Sequence, residues 1–261
     1  MCRKLRKFQF NAKEVGILHV MQRCVRRAFL TGYDEYSGKD YSHRKEMLRR
    51  RMESLASVYA MDVFTYAIQS NHFHMLLQNR PDVVECWDDW QVATRWLRIY
   101  PGKRLEEDLG VPSEKDIESL VQDHKRIAEL RLRLSDPSWY MKSLCEPIAR
   151  RCNREDECPG HFWEGRFKAQ PILDETMLLA TQLYLDLNPL RAGAATSIET
   201  SVFTGAYDRL QALQGKTQIS AALDTPVLTQ PEVAKLLQEE SVANLKKLKA
   251  RNRRGQGKRV A

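Results

Sequence analysis

The stretch "MDVFTYAIQSNHFHMLLQN" at residues 61–79 consists of two apolar runs and one short polar break. The runs at 61–68 and 73–77 have the composition of β-strands, and Ser70 and Asn71 between them favour a turn. The stretch therefore predicts two consecutive strands joined by a tight connection.

The second of these strands carries the polar chemistry. A strand over residues 72–78 turns alternate side chains to opposite faces. One face then carries His72, His74, Leu76 and Gln78. The other carries apolar side chains suited to the core, namely Phe73, Met75 and Leu77. The two histidines are predicted to point the same way, either as a pair of metal ligands or as polar residues on an exposed strand face.

The N-terminal part of the chain predicts a strand followed by a basic helix. The segment "VGILHVMQRCV" (15–25) is strand-like. Residues 42–60 place apolar side chains at helical spacing, with Ser42 as a candidate N-cap. This strand and this helix precede the histidine strand.

Residues 80–136 predict a helical insertion that prolines and glycines divide. Within it, residues 113–135 predict one amphipathic helix that begins at the N-cap Ser113. Residues 137–156 continue as a basic helix in which Pro147 predicts a kink or a boundary.

The C-terminal half of the core predicts a loop, a strand and one further helix. Residues 158–173 are aromatic and basic, and lead from a turn into a strand. Residues 174–193 predict a helix with Asp174 as N-cap. Pro189 is expected to end it, because the residue before a proline avoids the α region.

Tyr184 and Asn188 on this last helix are four residues apart and so share one face. If that face packs on the histidine face of the strand, two imidazoles and one amide oxygen meet a phenol. Such a three-ligand set leaves positions open for substrate, as metal-assisted catalysis requires. Tyr184 also fits an aromatic lid on the core, and Asn188 fits a residue that simply ends a helix.

A phosphodiester suits this arrangement. The metal would neutralise phosphate oxygens and favour in-line attack, and the Tyr184 oxygen would be the nucleophile. No base for the tyrosine is identifiable from the sequence.

Charge is segregated along the chain. The net charge is +8, and the tail 244–261 alone has eight Lys/Arg and no acid. Residues 1–51 are also rich in basic side chains, whereas residues 82–123 are rich in acidic ones. This pattern suggests a polyanion as partner, although a solvated tail that aids solubility is the alternative.

The sequence also indicates in which cellular compartment the protein resides. The chain has no secretory signal and no apolar run long enough for a membrane helix, so we expect a cytoplasmic protein that does not contact a membrane. Its six cysteines are expected to be reduced thiols. A zinc cluster of Cys152, Cys158 and His161 is conceivable, but the spacing matches no common zinc module.

Four stretches, in order, resemble the single-tyrosine transposases of the His-hydrophobic-His (HUH) superfamily, and most of all those associated with repetitive extragenic palindromes. The stretches are "GILHVMQR", "AIQSNHFHMLL", "GHFWEGRFKAQPILDE" and "YLDLNPLRAG". They bracket residues 15–195. In this resemblance His72 and His74 occupy the ligand positions, Tyr184 the nucleophile position and Asn188 the third-ligand position.

The resemblance implies an α+β fold with a ferredoxin-like antiparallel sheet and packed helices. It places the transposase domain at 1–205, with the helical insertion at 80–136, and leaves 206–261 as a C-terminal extension with a helix and a basic tail. The implied activity is cleavage and rejoining of single-stranded, hairpin-associated DNA through a covalent 5′-phosphotyrosine intermediate, with Mg²⁺ or Mn²⁺.

Two other functions stay open at this point. A catalytically silent regulator could keep the fold and bind structured DNA or RNA, and a hydrolase could act on small phosphodiesters with a metal. The complete set of four site residues disfavours a silent regulator, which has no need of all four. The lack of a Gly-rich phosphate loop disfavours a hydrolase of small phosphodiesters. The chain is expected to act as a monomer or a homodimer.

Single-stranded DNA requires cations that follow the phosphates. Candidate cations lie after the first strand, on the helix before the aromatic loop, and in that loop. They are Arg23, Arg26, Arg27, Arg150, Arg151, Arg166 and Lys168. For Arg166 and Lys168 a structural ion pair is the alternative.

Overall fold

The computed structural model describes residues 10–25, 30–35, 38–100 and 112–215. Its main sheet has four antiparallel strands in the order β4-β5-β1-β6. The strands are β1 (Gly16–Arg23), β4 (Met61–Ile68), β5 (His72–Asn79) and β6 (Lys168–Ile172), and a short ribbon pairs β2 (Tyr33–Asp34) with β3 (Lys39–Asp40).

This strand order, with one helix before β4 and another before β6, is the ferredoxin-like arrangement. The helices are α1 (His43–Ala56) and α6 (Pro137–Glu155). Both pack on the sheet face that holds the larger core, where Phe73, Met75 and Leu77 are fully buried. The predicted α+β fold is confirmed.

The described part of the insertion is helical, as the sequence predicts. It contains α2 (Pro81–Glu85), α3 (Asp89–Ile99), α4 (Glu114–Val121) and α5 (His124–Leu134). Apolar residues from all four helices join the larger core rather than forming one of their own. The insertion therefore extends the side of the domain that carries α1 and α6.

The prediction of one continuous helix over 113–135 is wrong. The Ser113 side chain accepts from the Asp116 N–H as expected, but α4 ends at Val121. Asp123 then accepts from the Arg126 N–H and begins α5. A local bond from side chain to backbone thus starts a second helix where the apolar periodicity alone shows no break.

Two further predictions about helix ends need correction. Ser42 makes no capping bond with its side chain, and its backbone N–H donates to the Asp40 carboxylate instead (2.8 Å). Pro147 does not mark a boundary, because α6 continues through it; the kink stays a prediction. A proline leaves the carbonyl four residues earlier without its helical donor, and the Arg51 guanidinium donates to that carbonyl, on Ser143, through two nitrogens at 3.2 Å each.

The opposite face of the sheet is covered by α7 (Glu175–Asp186). Leu178 and Leu185 are buried against Ile17 and Leu76 in a small second core. Helix α7 ends at Asp186, and a short turn of helix, α8 (Asn188–Arg191), follows after Leu187. The expectation that Pro189 ends the helix is wrong, because Asn188 and Pro189 both lie in the first turn of α8, where a proline needs no N–H donor. Strand β5 therefore lies between two layers, the larger core on one side and α7 on the other.

The last described element, α9 (Gly205–Leu213), packs on β4 at the edge of the sheet. The Ile68 N–H donates to the Phe203 carbonyl, and Ala67 bridges Thr204. The boundary expected at 205/206 falls at the start of this helix. The basic tail and the helix expected from Pro231 lie outside the described residues, and within the described part no helix is long and apolar enough to cross a membrane.

Candidate active site

Strand β5 presents His72 and His74 on the face that α7 covers. Their ring centroids are 4.9 Å apart at an interplanar angle of 82°. His72 pairs across the strands with Arg23, and His74 pairs with Met21. His72 is half-buried at the end of β5 nearest the turn, whereas His74 is 4% exposed.

Helix α7 places Tyr184 beside His74. Asp174 caps the helix by accepting from the Met177 N–H (2.7 Å), as the sequence predicts. The Tyr184 ring lies edge-on to His74, with centroids 6.2 Å apart, and 42% of the tyrosine is exposed. The phenol therefore reaches solvent beside the histidines instead of closing a core.

Asn188 follows Tyr184 by one turn along a nearly continuous helical path. The Leu187 N–H donates to the Leu183 carbonyl and the Arg191 N–H donates to the Leu187 carbonyl, so the turn continues between α7 and α8. Asn188 is half-buried. The Arg191 guanidinium lies 5.7 Å from the Tyr184 ring centroid, a cation–π contact that the sequence analysis did not predict.

Each histidine has its Nδ1 engaged inside the protein. The Nδ1–H of His72 donates to Oδ1 of the preceding Asn71 (2.6 Å). The Nδ1 of His74 lies 3.0 Å from Nε2 of His19 on β1, and these two rings stack with centroids 5.1 Å apart. The Nε2 atoms of His72 and His74 are thus the nitrogens left for a ligand.

Burial keeps these imidazoles neutral. It lowers the pKa of His74 to about 3, and the neighbouring His19 and His72 add to the shift. Burial also lowers the pKa of His72, with a smaller contribution from the Arg23 charge, and it lowers the pKa of His19. A neutral imidazole is the form that binds a metal ion.

The donors considered for a divalent metal are two imidazoles and one amide. Among the described residues, no three His, Cys, Asp or Glu side chains form a group that could hold a metal ion. Cys152, Cys158 and His161 therefore do not lie together as a zinc cluster would require. Two imidazole nitrogens and the oxygen of Asn188 would hold Mn²⁺ or Mg²⁺ with positions left for substrate. Engaged Nδ1 atoms are typical of histidines that bind metal through Nε2.

The end of α7 is tied to the sheet two residues after Tyr184. The Asp186 carboxylate accepts from the Thr65 hydroxyl (2.6 Å) and from the Arg209 guanidinium (2.5 Å). Arg209 also donates to the Phe64 carbonyl (3.1 Å). These bonds join α7, β4 and α9, and so fix where the tyrosine lies relative to the histidine strand.

Three of the predicted DNA-binding residues line one shallow depression at the end of β1. It has a volume of about 120 Å³, and Arg23, Arg166 and Lys168 border it together with the acidic Glu164. Arg23 is the strand neighbour of His72, so the depression adjoins the site. Lys168 pairs with Met21 on the adjacent strand.

The other predicted cations are placed differently. Arg150 and Arg151 lie on α6, which packs on the sheet face opposite α7. Arg150 pairs with Glu146 and Arg151 with Glu155 (3.3 Å), each one helical turn away. Arg26 and Arg27 lie outside the described residues.

Several residues at the site were not predicted from the sequence. His19 stands in the stretch that carries the family resemblance, and the two-residue period of β1 would have placed it on the His74 face. Asn71 was assigned only to the turn. Asp186 and Arg209 gave no sequence signal, because 23 residues and a loop separate them.

No protein-family model matches the chain, and no curated protein matches it in sequence. Among solved structures, the chain is similar to one described as a REP-associated tyrosine transposase bound to a REP hairpin. The TM-score is 0.47 and the sequence identity 12%, over 86% of this chain and 96% of that chain. At this level of similarity, function has to be inferred from the chain's own residues.

Proposed function

We propose that the protein is a metal-dependent nuclease and strand transferase of single-stranded, hairpin-associated DNA, in which Tyr184 becomes covalently linked to the 5′-phosphate of the cut strand. The activity would be that of a single-tyrosine transposase. One observation carries the proposal: a solvent-accessible phenol lies edge-on to His74, and His74 in turn lies edge-on to His72, so that it stands beside two neutral imidazoles whose Nε2 atoms remain for a ligand.

His72, His74 and Asn188 would hold the metal. When bound, the metal withdraws negative charge from the phosphate and makes attack by an oxygen nucleophile easier. The chain's own contribution is placement. Thr65 and Arg209 hold the end of α7 through Asp186, so that the Tyr184 oxygen starts close to where the phosphorus would lie.

In the proposed step the Tyr184 oxygen forms a bond to phosphorus, and the bond from phosphorus to the 3′ oxygen breaks. The tyrosine loses its proton to solvent, and the departing 3′ oxygen takes one up. The number of phosphoester bonds is unchanged, so a 3′ hydroxyl can attack the phosphotyrosine and rejoin a strand. Cleavage and transfer are then one reaction run in two directions.

The DNA strand would reach the site along the depression at the end of β1. Arg23, Arg166 and Lys168 would follow its phosphates, and the first of these stands beside His72. Arg191, over the Tyr184 ring, adds a cation next to the nucleophile. The basic tail would contribute affinity that does not depend on sequence and that falls with salt.

Covalent trapping tests the proposal. Hairpin-rich single-stranded oligonucleotides are incubated with the protein and Mn²⁺, and adducts that survive denaturant are counted. Tyr184→Phe is expected to abolish the adduct while DNA binding persists. Tyr33→Phe is the matched control, because Tyr33 is more exposed (60%) and belongs to the separate ribbon.

The histidines provide the second arm of that test. His72→Ala is expected to remove metal-dependent cleavage. Full cleavage by the His72→Ala variant with Mn²⁺ supplied, or an adduct that persists in Tyr184→Phe, would show that the site is assigned wrongly. Hairpin binding by a wild-type protein that forms no adduct with Mn²⁺ or Mg²⁺ would favour the silent regulator instead.

A further inference from the structure

The contact between His19 and His74 has no part in the ligand set, yet it is the tightest polar contact that His74 makes. Nε2 of His19 and Nδ1 of His74 are 3.0 Å apart, and the two rings lie within 25° of parallel. Both residues belong to central strands of the sheet and face α7. The contact is therefore held by backbone pairing on both sides.

A neutral imidazole has one N–H and one lone pair, on different nitrogens. Between His19 and His74, one ring donates and the other accepts. If His74 donates from Nδ1, its Nε2 carries a lone pair and can bind a metal. If His19 donates instead, Nε2 of His74 carries the proton and cannot bind one.

We propose that His19 is a positioning residue that accepts the Nδ1–H of His74 and thereby leaves the Nε2 lone pair of His74 directed at the metal. The inference rests on the proposed metal site and extends it by one residue. His19 does not touch the metal or the DNA in this account. It fixes which nitrogen of His74 is available, and the stacked rings fix the direction of that nitrogen.

His72 also has a hydrogen-bond acceptor next to its Nδ1. Oδ1 of Asn71 can only accept, so it selects the Nδ1–H form of His72 and leaves Nε2 of that ring free. An acceptor behind each ring would give the two ligands matching tautomers. For His72 the acceptor comes from the turn, and for His74 it comes from the neighbouring strand β1.

The position of His19 supports a specific role more than a packing role. Its neighbours across the sheet are Leu76 on β5 and Gln170 on β6. An apolar side chain would suit the Leu76 side of this position equally well, since Ile17, two residues earlier on the same strand, packs in the small core under α7. An imidazole is needed only where it meets His74.

The tautomer can be measured in the metal-free, full-length protein by ¹⁵N NMR of the imidazole rings. The chain has six histidines, and a His74→Gln variant identifies the His74 signals. We expect a protonated Nδ1 and an unprotonated Nε2 on His74. A wild-type His74 ring that carries its proton on Nε2 would overturn the inference, and this result needs no variant of His19.

Metal affinity provides the second readout, with Mn²⁺ alone and no DNA. His19→Leu removes the acceptor and is expected to weaken Mn²⁺ binding about 10- to 100-fold, the usual loss for a partner of a metal-bound histidine. His19→Gln restores a carbonyl acceptor and is expected to recover most of that loss. His124→Leu, at an exposed site on α5, is the control for loss of one imidazole and should bind as the wild type does.

The outcomes separate this inference from the proposed function. Equal Mn²⁺ affinity in wild type and His19→Leu would refute the role of His19 while leaving the covalent role of Tyr184 intact. Failure of glutamine to rescue a loss would assign His19 to packing. If Mn²⁺ binding depends on His19 but the protein forms no DNA adduct, the positioning role of His19 is supported and the proposed nuclease activity is refuted.

Discussion

The tie between Asp186 and Arg209 yields the most quantitative prediction about how α7 is held. The Asp186 side chain is 14% exposed, and its carboxylate accepts from both Arg209 and Thr65. Hydrogen bonds to charged groups are worth about 1.5–3 kcal/mol each, and breaking a fully buried ion pair costs about 3–5 kcal/mol. Because Arg209 is 36% exposed, we expect a smaller cost, about 2 kcal/mol, for Asp186→Asn.

A double-mutant cycle separates this pair from its surroundings. Urea unfolding is measured for wild type, Asp186→Asn, Arg209→Met and the double variant. Each single change is expected to lower the free energy of unfolding by about 2 kcal/mol, or the Tm by about 4–8 °C for a chain of this size. The double variant should lose about 1–2 kcal/mol less than the sum of the two, since the second change breaks no further bond of the pair.

The same variants also test whether the tie positions the tyrosine. Tyr184 lies two residues before Asp186, so a loosened helix end would move the proposed nucleophile away from the histidines. Displacement by about 1 Å can cost on the order of 100-fold in rate. Adduct formation by Asp186→Asn should therefore fall well below wild type under conditions where the variant is fully folded. A coupling energy within about 0.5 kcal/mol of zero would refute the reasoning about stability.

Three further predictions each concern one local feature of the fold: a capped carbonyl, a close glycine and a buried histidine. Arg51→Met should cost about 1–3 kcal/mol in wild type but much less in a Pro147→Ala background, where a backbone N–H replaces the guanidinium; equal losses in urea unfolding would contradict this. Gly205→Ala should lower the Tm, because the added Cβ would lie 2.9 Å from the Thr65 Cα, whereas Gly16→Ala, with its nearest contact at 3.5 Å, should not; equal Tm changes would oppose this reasoning. Metal-free protein should lose stability as pH falls from about 6.5 towards 3, because His74 binds a proton in the unfolded chain but not in the folded protein. Between pH 7 and 5 the free energy of unfolding should fall by about 2 kcal/mol. A His74→Gln variant with the same loss would contradict this.

Sequence periodicity was sufficient for the parts of the fold that repeat. The two-residue alternation of 72–78 separated the histidines from Phe73, Met75 and Leu77, and the structure places those two sets on opposite faces. The capping residues Ser113 and Asp174 were predictable because each bond is local. Elements whose stabilising contacts lie within a few residues can be inferred from the chain itself.

Contacts between distant residues were not predictable in this way. Arg51 and Ser143 are 92 residues apart, and no pattern in either segment shows that a guanidinium replaces the donor that Pro147 lacks. The same holds for His19 and His74, which are 55 residues apart. These two residues meet because β1 pairs with β5 in the sheet order β4-β5-β1-β6. Neither segment has a pattern of its own that shows which strands pair.

Tyr184 can be tested as the nucleophile by locating the residue to which the DNA becomes linked. Wild-type protein is trapped on a hairpin-bearing single strand with Mn²⁺ and digested, and the peptide that retains nucleotides is sequenced by mass spectrometry. We expect a single linked residue, Tyr184, joined to a 5′-phosphate, with a free 3′ hydroxyl on the other DNA fragment. Linkage to any other side chain, or cleavage that leaves no linked peptide at any time, would contradict it.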